Sequence, residues 1–513
     1  MEQRKRHCWE CLRRSLVCDF TQPECKRCIK SGTPCPGYGE KEPLRLNWLA
    51  PGKVKSRTRA RKTKDSGHGN QQPVITINDR AKNPDFLIIP RHCFKVNADA
   101  IFDAIDYYNS AMYPFLAGNI VGNHPGVYKI QPAHIHAGVA RPDYLRLEIV
   151  CMTLNHRIHS VKDPYYAQSL APTYYHFRGL VLRSLNAAMA NEKSRKKSIN
   201  FLMAGILSLL LADAHQGISL HWRFHLQGIQ QLIALRGGLR AMAGPGVEPL
   251  LLCYAYVAVL GDTSSPADNL TMSTTLLAEL DAILDDYGDK PYTFYPFPIP
   301  LFTATVKINH LRARAAALRP ILPPTSDLIS EAVEVLTTIQ SFNPTTFAEC
   351  RPPKSRPDWI LLAQTIQAAV TIYCISSLQS VEILPSSNCP SLQASKATAR
   401  QTLHTLLSQS LPTARFGTSV LWALVVLGVD AVHDGPGMRA FVSESLGPLS
   451  RAQGSYVPRL ARDLLERFWA SGRSDWDGCF DQPYALAMQW TMEKKVIIDW
   501  DAVGVDREVL MVL

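Results

Sequence analysis

The 513-residue sequence lacks most features that would place it in a membrane, outside the cell or among enzymes. No apolar run follows Met1, so no signal peptide is expected and the chain reads as intracellular. The longest strongly apolar runs, around Phe201–Ala212, Leu250–Leu260 and Val420–Val432, hold about a dozen residues each, short of the roughly 20 that cross a bilayer. They are expected as buried helices, with no membrane partner. Few stretches alternate apolar and polar residues, which excludes much β-structure. No G-x-S-x-G, Walker A or G-x-G-x-x-G pattern stands at a strand-to-helix turn, so no enzyme is expected. The pairs His134/His136, His156/His159 and His221/His225 have no adjacent Glu and no third ligand, and read as packing or capping residues. Between residues 36 and 95 apolar residues never recur at a/d spacing over two heptads, which excludes a coiled coil there.

What is present is unevenly distributed. Residues 1–64 carry 17 Lys+Arg and 6 Asp+Glu, a net of +11, and the remaining 449 residues are balanced at 38 of each. A basic end on a neutral body is an electrostatic handle for a polyanion. Arg4, Lys5 and Arg6 precede the first cysteine, and Lys53–Lys64 holds seven cations in twelve residues (Lys53, Lys55, Arg57, Arg59, Arg61, Lys62 and Lys64) with almost nothing apolar. Such a segment cannot bury enough surface to fold alone and reads as a linker able to contact phosphates and to serve as a nuclear-import signal.

Six of the thirteen cysteines fall in one pattern, Cys8-x2-Cys11-x6-Cys18-x6-Cys25-x2-Cys28-x6-Cys35. A C-x2-C pair presents two thiolates to one metal, and the third cysteine returns the chain to it, which is zinc-ligand spacing. Two tetrahedral ions need eight ligand positions, so six thiolates close both only if two bridge. The quasi-twofold pattern makes Cys8 and Cys25 the natural bridges. Disulfides, or one four-thiolate zinc with two spare cysteines, are the simpler alternatives. Cys93, Cys151, Cys253, Cys350, Cys374, Cys389 and Cys479 are scattered and read as core or incidental thiols.

The stretch resembles the fungal binuclear zinc cluster family of DNA-binding transcription regulators, including Pro23 before the fourth cysteine and Cys35-Pro36-Gly37-Tyr38 at its end. The resemblance implies two zinc ions per chain, a nuclear location and double-stranded DNA as partner. In the family's C-x2-C-R-x-R-K-x-K-C pattern, basic residues after the second cysteine approach a CGG-like triplet in the major groove. Here Arg14 matches, Arg13 adds charge, and Leu12, Ser15 and Val17 stand at usually basic positions. Ser15 occupies the base-reading position. Its hydroxyl can bond a base edge but cannot make the forked contact to guanine that discriminates by about 1–3 kcal/mol. The implied DNA contacts are Arg13, Arg14 and Ser15, aided by Arg4, Lys5, Arg6, Lys53, Lys55, Arg57, Arg59, Arg61 and Lys62.

From residue 96 onward the helical period dominates. Ile101, Ile105, Tyr108 and Met112 share one face, and Leu145, Ile149, Met152 and Ile158 another, with residues 114–141 between them expected as irregular. Further helices are expected at 165–191, 197–215, 218–236, 247–261, 272–286, 300–319, 326–342, 357–382, 394–410, 416–432 and 453–471. Residues 219–238 resemble the W-x2-H-L-x-G-x3-L-I-x2-R-G-G helix of the regulatory domain that accompanies fungal zinc clusters. Trp222, Leu226, Ile229 and Ile233 form its apolar stripe, Gly228 is expected to admit a neighbouring helix, and Gly237-Gly238 to end it.

The expected architecture is mostly α: a zinc cluster module at 1–40, a disordered basic linker at 41–95 and a large all-α regulatory domain at 96–513. The expected function is a nuclear, sequence-specific regulator of RNA polymerase II genes, with a homodimer forming through the helical domain and transcription coregulators as partners. Residues 279–297 read as a helix with an acidic end, and 497–513 have a composition compatible with coactivator contacts. The rival reading is an interaction or scaffold protein whose zinc module has lost specific DNA readout.

Overall fold

The computed structural model describes residues 7–14, 16–38, 97–118, 128–139, 141–191, 199–217, 222–242, 247–287, 297–318, 324–385, 389–411 and 420–486. The linker at 41–95 and the tail at 497–513 lie outside them. The chain divides into two units, Met1–Val74 and Ile75–Leu513. Among the described residues both are helical, with no strand.

In the larger unit, local chemistry sets the helix starts. Asp163, Thr325 and Asn343 each accept a hydrogen bond from a backbone N–H of the first turn that follows, and Pro164 and Pro344 occupy first positions, where a missing N–H costs nothing. Three helices have almost no polar face. Leu202–His215 of the Ile199–His215 helix and all of Leu421–Asp430 are buried, as is nearly all of Leu362–Leu378 within Arg356–Ser380. A helix apolar on all sides belongs inside. Pro353–Ser380 is long and apolar enough to cross a membrane, but 78% of its apolar window is buried within the unit, where it packs on Ile299–Leu318, Pro390–Ser410 and Leu421–Asp430. Amphipathic helices such as Ser326–Ser341 and Val457–Ala470 close the outside.

Most expected helices are present, and the Thr274–Tyr287 helix buries Leu276, Leu280, Ile283 and Leu284. Two expectations are corrected. The stretch 114–141 is not irregular throughout: the first helix continues through a π turn, Tyr108–Met112, to Gly118, and Pro132–Val139 forms another. The second is secured by Asn109, whose side chain donates to Ile130 O at 2.9 Å and accepts from Ile130 N–H at 2.8 Å. Pro436–Gln453, expected as a connection, is an 18-residue helix despite Pro448 within it. Met438, Val442, Leu446 and Leu449 bury one face of it against Val457–Ala470 and Leu421–Asp430, which offsets its poor local propensity.

The family-like helix, Trp222–Leu235, buries Trp222, Leu226, Ile229 and Ile233 as expected. It ends in a Schellman arrangement: Gly238 N–H donates to Ile233 O and Gly237 N–H to Ala234 O, both glycines having positive φ. Gly228 is not the point of close approach, since a Cβ there would meet only Ile206, at 4.0 Å. That role falls to Gly261, where a Cβ would lie 2.4 Å from the Trp222 ring.

A buried polar hub ties the segment 476–486 into this core. Arg312, fully buried, donates to Asp262 O, Ser265 O and Tyr373 Oη at 2.8–3.1 Å and pairs with Asp477 at 2.5 Å. The Trp422 and Trp476 indoles donate to Thr263 Oγ1 and Thr263 O, each at 3.0 Å, and Tyr484 N–H donates to Ser264 O at 2.9 Å.

Candidate metal centre

Each half of the zinc-like stretch is a short helix begun by its first cysteine. Cys8 Sγ accepts from Cys11 N–H at 3.4 Å to cap Trp9–Arg13, and Cys25 Sγ accepts from Cys28 N–H at 3.3 Å to cap Lys26–Lys30. The halves repeat with an offset of 17 residues. Arg14 and Ser31 end their helices with the same backbone angles, φ −90° and ψ 4°, and Leu16 N–H and Thr33 N–H donate to the carbonyls of the equivalent Cys11 and Cys28.

This repeat gathers all six cysteines. Their sulfurs form two groups of four, each within 4.8 Å: Cys8, Cys11, Cys18 and Cys25, and Cys8, Cys25, Cys28 and Cys35. The groups share Cys8 and Cys25. Printed as separations, Cys8–Cys25 and Cys11–Cys25 are 3.6 Å and Cys8–Cys28 is 3.7 Å. A tetrahedron with zinc–sulfur bonds of about 2.3 Å has edges of about 3.8 Å, whereas a disulfide needs about 2.05 Å. All six are free thiols. Two overlapping tetrahedral sites fit this arrangement, and neither disulfides nor a single four-thiolate site uses it fully.

The surroundings also suit thiolates. His7 Nδ1 accepts from Cys18 N–H at 3.2 Å, Cys35 Sγ accepts from Cys25 N–H at 3.4 Å, and the Tyr38 hydroxyl lies 3.5 Å from Cys18 Sγ while donating to Thr21 O. Burial pushes the Cys8 and Cys11 thiols up, and Cys28 up to about 12. At Cys18 burial acts the same way but is outweighed by hydrogen bonds from the Cys8 backbone and Tyr38, which bring it to about 6. So much thiolate charge packed together requires compensating cations, which metal ions supply. Among the described residues no other group of His, Cys, Asp or Glu is arranged to hold a metal. His156 and His159 lie apart from any such group, and His225 pairs with Asp213, which also receives Arg178 at 2.5 and 2.7 Å.

Residues 147–507 match the family described as the fungal specific transcription factor domain. The chain belongs to this fungal transcription factor family. Residues 6–45 match a second description, the fungal Zn(2)-Cys(6) binuclear cluster domain. The Phomenoic acid biosynthesis cluster-specific transcriptional regulator of Leptosphaeria maculans is 36% identical over 494 residues, covering 95% of this chain and 90% of that protein. Arginine metabolism regulation protein II of Saccharomyces cerevisiae is 43% identical over 44 residues, 9% of this chain and 4% of that protein. No solved structure matches. As a member of the fungal transcription factor family the chain is a transcription regulator, not an enzyme, and its cysteine cluster binds two zinc ions.

The other expected site residues are placed unevenly. Arg14 is exposed, and its Nη1 donates to Ser31 Oγ at 3.4 Å and Thr33 Oγ1 at 3.3 Å, which lashes the first half of the cluster to the second. Sequence reasoning missed that partnership, although the 17-residue offset makes Ser31 the positional twin of Arg14. Leu12 and Val17 are 56% and 74% exposed, so they occupy surface where the fungal family usually places cations. Arg13 closes the first helix. Ser15, Arg4, Lys5, Arg6, Lys53, Lys55, Arg57, Arg59, Arg61 and Lys62 lie outside the described residues.

Proposed function

We propose that this chain is a nuclear, sequence-specific DNA-binding regulator of RNA polymerase II genes, with a zinc module at 1–40, a basic linker at 41–95 and a regulatory domain at 96–513. The observation that carries the reading is the pair of sulfur tetrads sharing Cys8 and Cys25. In this reading those two cysteines bridge both zinc ions, Cys11 and Cys18 complete one site, and Cys28 and Cys35 complete the other. Arg14 uses one guanidinium nitrogen to brace the cluster and presents the rest to a guanine of a CGG-like triplet, with Arg13 and Ser15 beside it. Arg4, Lys5, Arg6, Lys53, Lys55, Arg57, Arg59, Arg61 and Lys62 meet phosphates, consistent with a net charge of +11 confined to residues 1–64. The regulatory domain supplies a homodimer contact and receives coregulators. The likeness to a regulator named for a biosynthesis cluster supports target genes in such a cluster.

Metal analysis of the purified full chain is expected to return two zinc ions, both lost together with DNA binding in Cys8→Ala or Cys25→Ala; one ion per chain would refute the binuclear assignment. In binding-site selection, Arg14→Ala is expected to relax preference at one base, a loss of about 1–3 kcal/mol in discrimination, while removing cations from 53–64 weakens all sequences alike and flattens the salt dependence. A genome-wide occupancy map without discrete triplet-containing sites would instead favour a protein-binding zinc module.

A further inference from the structure

A polar cavity of about 380 Å³ opens between the Arg356–Ser380, Pro390–Ser410 and Leu421–Asp430 helices and the segment 474–476. Its volume falls in the range of about 300–1,000 Å³ usual for small-molecule sites. Its lining is not usual, because hydroxyl, amide and charged groups replace much of the apolar wall: Ser376, Gln393, Lys396, Asp430 and His433 face it, with Trp476 as the large aromatic surface.

The charges around it do not balance. Asp430 is fully buried and receives two cations, Arg400 Nε at 2.5 Å on one oxygen and Lys396 Nζ at 3.3 Å on the other. Arg400 also approaches Asp434 at 3.8 Å, but that carboxylate is 41% exposed, so water screens it. Among the described residues Asp430 is the one polar partner of Lys396, whose side chain is only 5% exposed. An ammonium group has three donors, and burying it without acceptors is costly. Arg400 alone would neutralise Asp430. Lys396 therefore places an additional positive charge in the cavity wall, where the fold by itself has no need of one.

We propose that this cavity binds a small hydroxy acid, its carboxylate on Lys396, its hydroxyls on Ser376 and Gln393, and its carbon skeleton against Trp476. The bound anion supplies the charge that Asp430 does not. Because Trp476 adjoins Asp477, the carboxylate paired with Arg312 in the buried hub, an occupied cavity would also secure the segment 474–486 against the core. None of this depends on how the zinc module meets DNA.

The test uses the full zinc-loaded chain, titrated calorimetrically and by thermal unfolding with malate, citrate and gluconate, and with sorbitol as a neutral polyol. At least one acid is expected to bind saturably and raise the melting temperature, and Lys396→Met is expected to abolish both effects. In the absence of added acid, Lys396→Met should unfold at the same temperature as the parent or higher, since it removes an unbalanced buried charge. A Gln393→Leu variant, which leaves the Asp430 pairs intact, should bind the acid at least tenfold more weakly. The proposal is overturned if no acid binds, if sorbitol binds as tightly as the acids, or if Lys396→Met melts well below the parent, which would make Lys396 a structural partner of Asp430.

Discussion

Single positions carry more of the fold than their chemistry suggests. At Gly261 a methyl group would stand 2.4 Å from the Trp222 ring, whose indole also donates to Pro483 O at 3.3 Å, so the ring has no room to retreat. Gly261→Ala is expected to cost about 1–3 kcal/mol by overpacking. Gly228→Ala, whose methyl meets only Ile206 at 4.0 Å, is expected to be neutral or to stabilise by about 0.5–1 kcal/mol through helix propensity. Denaturant midpoints of the two variants check both signs. His156, His159 and His215 form a second sensitive point. Burial, the main cause in each, pulls His156 and His159 down to about 4 and His215 to about 3, from an ordinary value of 6.5. His215 Nδ1 lies 2.7 Å from Ser455 Oγ and His156 Nδ1 2.9 Å from Tyr107 Oη, both held with neutral rings. The unfolded chain therefore takes up protons that the fold refuses. Their contribution is complete above pH 6.5 and is lost as pH falls from there toward 4, with a slope of up to about 1.4 kcal/mol per pH unit for each histidine. Acid unfolding followed by circular dichroism should show the loss, and His215→Gln should shift its midpoint to lower pH.

At the scale of elements, the segment 476–486 is held by polar contacts and not by helix formation. Its Asp477 is the sole carboxylate among the printed partners of Arg312, which is fully buried. Asp477 also accepts from Ser380 Oγ at 2.9 Å and from Ala267 N–H at 3.1 Å. Asp477→Ala is expected to destabilise the helical unit by about 3 kcal/mol, the lower part of the range for a broken buried pair, because Arg312 keeps three neutral acceptors. Urea unfolding measures the loss, and limited proteolysis should show earlier cleavage near 474–486. The helices themselves were legible wherever the apolar period was unbroken, as at Pro164–Ala190 or Ser326–Ser341. Pro436–Gln453 escaped because glycines and Pro448 mask a buried face whose spacing, Met438, Val442, Leu446 and Leu449, is nevertheless helical.

For the whole molecule, the division into two units separates two sources of stability. The smaller one has a cluster of buried cysteines in place of an apolar core, with Leu16, Phe20 and Tyr38 packed against it. A unit of that size depends on metal affinity for its folding. Chelation of zinc from the full chain is therefore expected to abolish the module's fold and DNA binding, while the thermal transition of the helical unit changes by no more than a degree or two. NMR of the Cys8–Cys35 region beside circular dichroism of the whole chain reads the two separately. A common loss of both signals would show that the units fold as one.

The sequence alone determined the metal chemistry and the helical class, because both are written in short-range spacing: two C-x2-C turns with a returning cysteine, and apolar residues every three or four positions. It also identified Cys8 and Cys25 as the shared pair, since the 17-residue offset is a property of the string. Only the tertiary structure decided which glycine faces Trp222, that Arg14 braces Ser31 and Thr33, that Arg312 and Asp477 meet across the core, and that Lys396 and Arg400 share one carboxylate. Those contacts join residues far apart along the chain, or in separate halves of a module. Their partners are selected by which faces the packed helices bring together, and no local pattern encodes that choice.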